Sequence, residues 1–126
     1  MRKQETNKAI LIAELQAIGI KCDPENILEI GYNTNGKLIF LEKGNEKAGL
    51  THIIDRHAED FERIGVKIED ISHVIFEAAT KGITLGHQGT KLTREIFQIT
   101  YNDEKKNIAI TISSNGFIVG ANPSSF

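Results

Sequence analysis

The hydrophobic pattern of the last third changes from helical spacing to alternation near residue 93, and that change limits the possible folds more than any other feature of the chain. Before it, apolar side chains recur at helical spacing. Residues 6–18 place Leu11, Leu15 and Ile18 on one stripe, with Ala13 and Ala17 beside them, and Gly19 stands where such a helix would end. Residues 50–62 repeat the spacing with Leu50, Ile53, Ile54, His57 and Phe61. Residues 68–80 do so with Ile68, Ile71, Val74, Ile75 and Ala78, followed by Gly82. Beyond the change, residues 93–101 and 107–113 alternate, Ser114-Asn115-Gly116 signals a tight turn, and residues 117–120 close the set. Between the first two helical stretches, Asp23-Pro24 marks a turn or a helical start. Residues 27–32 and 37–41 flank Asn33-Thr34-Asn35-Gly36, the pattern of a β-hairpin. The order is helix, hairpin, two helices, then three or four antiparallel strands. Such segregation predicts an α+β fold, with N-terminal helices packed on an antiparallel β-sheet, and not a series of βαβ units.

A chain of 126 residues is one domain's worth and can bury a real core, so residues 1–126 are expected to form a single domain. Apolar runs such as residues 9–13 are too short to span a bilayer, and no signal peptide is expected because the basic N-terminus lacks an apolar h-region. Cys22 is the one cysteine, which rules out an internal disulfide and a structural zinc cluster. No His-x₃-His pair, phosphate-binding Gly-x₄-Gly-Lys-Ser/Thr loop or Gly-x-Ser-x-Gly elbow is present, so no metal or other cofactor is expected. The net charge of −2 argues mildly against a nucleic-acid partner, but the charge is unevenly spread. Residues 81–126 hold five cations (Lys81, Lys91, Arg94, Lys105, Lys106) against three anions (Glu95, Asp103, Glu104), so an anionic ligand would be held by the last third.

The alternating segments have two faces. Phe97, Ile99 and Tyr101 share one, and Ile108, Ile110 and Ile112 share another, both suited to burial under helices. The opposite side would carry Arg94, Gln98, Thr100, Thr111 and Ser113 as an open polar surface, with Ile96 breaking the pattern.

The chemistry-bearing stretch is Gly49-Leu50-Thr51-His52-Ile53-Ile54-Asp55-Arg56-His57. Histidine transfers protons near neutral pH, and arginine binds phosphate oxygens bidentately. Metal-free RNA cleavage needs such parts: a base for the 2′-hydroxyl, an acid for the leaving 5′-oxygen, and cations on the phosphate. His57 lies on the apolar stripe, where a hydrogen-bonded core histidine is an equal expectation. His52 and His57 are about 140° apart on a regular helix, so both reach one site only if the helix begins after His52, with Thr51 as its cap. His73 falls on an outward face. His87 is expected in a mobile loop, Gly86-His87-Gln88-Gly89-Thr90-Lys91, able to reach over the polar surface.

Three stretches together resemble the C-terminal toxin domains of bacterial polymorphic and contact-dependent growth-inhibition toxins. They are Asn35-Gly36-Lys37-Leu38-Ile39-Phe40-Leu41-Glu42-Lys43-Gly44-Asn45, Ala48-Gly49-Leu50-Thr51-His52-Ile53-Ile54-Asp55-Arg56-His57, and Ser114-Asn115-Gly116-Phe117-Ile118-Val119-Gly120-Ala121-Asn122-Pro123. The helix–sheet order also resembles the barnase/EndoU/colicin/RelE-like ribonuclease superfamily. The resemblance implies a metal-independent endoribonuclease that cuts cytosolic RNA, often transfer RNA. It also implies delivery from the cell surface as part of a larger toxin, action in the target-cell cytoplasm, and a cognate immunity protein that blocks the site. It places His52, His57, Arg94, Thr111 and Ser113 in catalysis. Arg56, His87, Lys91 and Gln98 are the expected substrate contacts. The alternative is a catalytically inactive binding or accessory domain of the same fold.

Overall fold

The computed structural model describes residues 2–87 and 94–124. The fold is α+β, with three α-helices and two antiparallel sheets among the described residues. Helix α1 (Arg2–Ala17) is followed by a hairpin of β1 (Ile27–Tyr32) and β2 (Leu38–Glu42). Helices α2 (Leu50–Arg63) and α3 (Ile71–Lys81) come next. The chain then forms a four-stranded sheet of β3 (Ile83–His87), β4 (Arg94–Tyr101), β5 (Glu104–Ile112) and β6 (Ile118–Pro123), in that spatial order. Among the described residues, no helix is long and apolar enough to cross a membrane.

The Asn-Gly hairpin forms as its residues predict. Asn33 Oδ1 accepts the backbone N–H groups of Asn35 and Lys37, each at 2.9 Å, which closes the turn between the two strands. Strand β2 is buried along Leu38, Ile39, Phe40 and Leu41. Its side chains alternate between two cores, as the period of a strand requires. Leu38 and Phe40 join Leu15 and Ile27 under α1, while Ile39 and Leu41 join the larger core under α2 and α3. In the larger core, Ile53 and Phe61 of α2 and Ile71 and Ile75 of α3 meet Phe97, Ile108, Ile110 and Ile118 of the sheet. Full burial of each such side chain contributes about 1.5–3 kcal/mol. The two sheets meet where the Phe40 N–H donates to the Gly116 carbonyl at 2.9 Å and the Phe40 and Phe117 rings tilt together at 5.6 Å.

Several boundaries differ from the sequence expectation: α1 begins at Arg2 and α3 at Ile71, and three strands depart further. Residues 83–87 pair with β4 as a strand, where the pattern assigned no element to 83–85 and a loop was expected over 86–91. The ladder carries an irregularity between Thr84 and Gly86, which breaks the alternation that would have marked it. Strand β5 starts at Glu104, because Asn102 and Asp103 both take positive φ (50° and 65°) and make a two-residue turn. Strand β6 runs on to Pro123, past the end at residue 120 expected from the pattern.

The polar surface is only partly open. Arg94, Ile96, Gln98 and Thr100 face the side opposite the larger core, beside Thr111, Ala109, Asn107 and Lys105 of β5. Ile96 and Ala109 are 3% and 0% exposed, so the middle of that face is covered. The apolar pair in the middle row accounts for Ile96 interrupting the polar pattern.

Candidate active site

The site is built on the segment joining β2 to α2. Gly44 and Gly49 take φ values of 67° and 90°. A Cβ on Gly44 would stand 2.0 Å from the Ala48 carbonyl oxygen, so only glycine fits there. The loop brings the Glu46 carbonyl back over the first turn of α2. His52 Nδ1 lies 2.8 Å from that oxygen. A carbonyl only accepts, so Nδ1 carries the proton and donates it. In the neutral ring the lone pair is then at Nε2, where a general base needs it.

That nitrogen has a defined outlook. A Cβ on Gly120 would stand 3.9 Å from His52 Cδ2 and 4.0 Å from Nε2. Gly120 is the register partner of Thr111, and Thr111 is the partner of Arg94. Directly opposed residues of antiparallel strands face the same side. One cross-strand row therefore runs from the His52 ring over Gly120 to Thr111 and Arg94. Arg94 Nε donates to Thr111 Oγ1 at 3.0 Å, which fixes both side chains on that side. Sheet register thus brings Arg94 and Thr111 together, and the His52 ring stands near Gly120, the next residue of the row. Arg56, exposed and four residues after His52, lies on the same flank of α2.

The remaining candidates are placed differently. Helix α2 begins at Leu50 with Gly49 before it, not after His52, and no side chain caps it. His57 therefore turns away from His52. Its Nδ1 lies 2.9 Å from Asp60 Oδ2, and the opposite oxygen of Asp60 accepts Arg63 Nη1 at 3.0 Å. The His57 hydrogen bond, helped by the charges of His57 and Arg63, holds the Asp60 carboxyl below its ordinary range. His57 is one-third exposed, so it is not a core histidine, and the bond to Asp60 is the contact its ring makes. Ser113 follows the end of β5 and shapes the turn. Its N–H donates to the Phe117 carbonyl at 2.9 Å, and its Oγ accepts the Phe117 N–H at 3.3 Å.

His87 is the last residue of β3, not part of a loop. It pairs with Glu95, and so faces the side opposite Arg94. Gln98 is on the face of Arg94 but four residues along, about 13 Å away by strand rise. There its Nε2 donates to Asn107 Oδ1 at 3.0 Å. Lys91 lies outside the described residues. Among the described residues, no group of three or more His, Cys, Asp or Glu side chains is arranged to hold a metal ion.

Sequence reasoning missed two participants, Gly120 and the Glu46 carbonyl. Gly120 stands within a quoted stretch, but its position under His52 depends on register. The only signal for the carbonyl was the Gly44-Asn45 and Gly49 punctuation around it. No family model matches this chain, and no curated protein matches it in sequence.

Proposed function

We propose that the chain is a metal-independent endoribonuclease: a toxin domain that cleaves cytosolic RNA, transfer RNA foremost, in competing bacteria. One observation carries this. His52 Nε2, left basic by the Glu46 carbonyl, overlooks the same side of the sheet as the hydrogen-bonded pair Arg94 and Thr111. A proton acceptor beside a permanently charged guanidinium and a hydroxyl is the equipment for 2′-hydroxyl attack on the neighbouring phosphorus. In this scheme His52 Nε2 takes the 2′-hydroxyl proton as its oxygen bonds to phosphorus. Arg94 and Thr111 bear on the non-bridging oxygens, with Arg56 at the rim. The bond to the 5′-oxygen breaks, that oxygen takes a proton from water, the hydroxide left behind takes the proton held at His52 Nε2, and a 2′,3′-cyclic phosphate remains.

A toxin of this kind needs protection in its producer. The proposal therefore includes a small immunity protein with an acidic or hydrogen-bonding surface over Arg94 and Arg56. The test is incubation of the purified domain with total RNA in EDTA, followed by a denaturing gel. Discrete fragments support the proposal, and intact RNA overturns it. The net charge of −2 favours the second reading, an inactive binding or accessory domain. Bacteria expressing the isolated chain would then grow normally, whereas an active toxin would arrest them.

A further inference from the structure

We infer that Asn45 is a positioning residue for His52, acting through the main chain of residues 44–49. This segment has no regular structure of its own, so a few bonds set its shape. The Asn45 N–H donates to the Ala48 carbonyl at 2.9 Å. The Asn45 side-chain oxygen accepts the N–H groups of Lys47 at 2.8 Å and Ala48 at 3.3 Å. Asn45 thus closes a loop around the next residue, Glu46, whose carbonyl receives His52 Nδ1–H at 2.8 Å. The Glu46 side chain is exposed and points to no role in this bond. Its carbonyl cannot be removed by substitution, which makes Asn45 the side chain through which the geometry can be altered.

The consequence for the imidazole follows from hydrogen-bond chemistry. A neutral histidine in water populates both tautomers, and a fixed carbonyl at Nδ1 selects the one with its lone pair at Nε2. Without the Asn45 side-chain oxygen, the Lys47 and Ala48 N–H groups turn to water and the Glu46 carbonyl leaves its place. The tautomer would then be mixed, and part of the population would present a proton at Nε2 where a base is required. The consequence for catalysis rests on the ribonuclease proposal. The consequence for the tautomer does not.

The experiment is nitrogen-15 NMR of the His52 ring in the full chain, at a pH where the ring is neutral. It compares the parent with Asn45→Ala and with Asn45→Asp, which keeps an acceptor oxygen at the same place. The parent should show the Nδ1–H tautomer, Asn45→Ala a mixture of the two, and Asn45→Asp a return to the parent pattern. In parallel, kcat for RNA cleavage should fall roughly ten- to a hundredfold in Asn45→Ala, with KM unchanged, as for a catalytic group displaced from its productive geometry. Asn45→Asp should restore it. An unchanged tautomer in Asn45→Ala overturns the inference, as does a mixture that Asn45→Asp fails to correct. The spectra require no activity, so RNA left intact by all three proteins would count against the ribonuclease proposal alone.

Discussion

His52 Nε2 stands 4.0 Å from the point where a Cβ on Gly120 would lie, so the absence of a side chain at position 120 leaves the imidazole its place against β6. A methyl group there makes ordinary contact with the ring, whereas a branched side chain fills the space. Gly120→Ala should fold and keep cleavage within a few-fold of the parent. Gly120→Val should lose roughly a hundredfold by displacing the ring from its place over the row. Cleavage rates and melting temperatures of the two variants check this. Equal activity in both would remove Gly120 from the site.

The row predicts a separation of activity from stability. His52 is half-buried with one hydrogen bond to the Glu46 carbonyl, and Arg94 is half-buried beside Thr111. His52→Ala and Arg94→Ala should each lower cleavage at least a hundred- to a thousandfold, the order lost when one transition-state donor is removed. Their melting temperatures should stay close to the parent's. Loss of activity accompanied by unfolding would make these residues structural.

His57 should behave in the opposite way. Its bond to Asp60 is part-buried and lies on another side of α2. His57→Ala should keep full cleavage and show a small fall in melting temperature. That fall should vanish in acid. The Asp60 carboxyl is held low in the folded chain, so its contribution is present above the ordinary carboxylate range and is lost as pH falls through the folded value. A loss of cleavage in His57→Ala at unchanged melting temperature would put this histidine in the chemistry.

Glu29 supplies a pH dependence of the other sign. It is half-buried on β1, and loss of hydration pushes its carboxyl up, with Glu77 adding to the shift and His73 and Lys8 opposing it. A raised folded value means the stabilising term is full below the unfolded carboxylate range, near pH 4, and is lost as pH rises through the folded value. Glu29→Gln should therefore raise the melting temperature at pH 7, with the gain fading below pH 4. Thermal unfolding at the two pH values checks it. A fall at pH 7 would show that Glu29 is stabilised by its neighbours.

How much of this was legible in the sequence depended on whether the signal was local. The Asn33-Gly36 hairpin and the helices bearing Leu50 and Val74 follow from spacing, since each pattern repeats along one element. Strand β3 escaped because the irregularity between Thr84 and Gly86 breaks its alternation within five residues. Arg94 and Thr111 were chosen on residue type and predicted face. Their adjacency is a fact of register, which periodicity along one strand does not encode. Pairing His52 with His57 failed for a related reason. Where α2 begins decides whether they converge, and it begins at Gly49–Leu50, ahead of both. The Glu46 carbonyl belongs to a backbone group that every residue carries, so no residue type announces it.

The central claim is that His52 Nε2 takes the 2′-hydroxyl proton. The most direct measurement is the chemistry of the fragment ends after RNA is incubated in EDTA with the parent protein and with His52→Ala. The account predicts 2′,3′-cyclic phosphate termini from the parent and none above background from the variant. Fragments with 3′-hydroxyl ends, or equal yields of cyclic phosphate from both proteins, would contradict it.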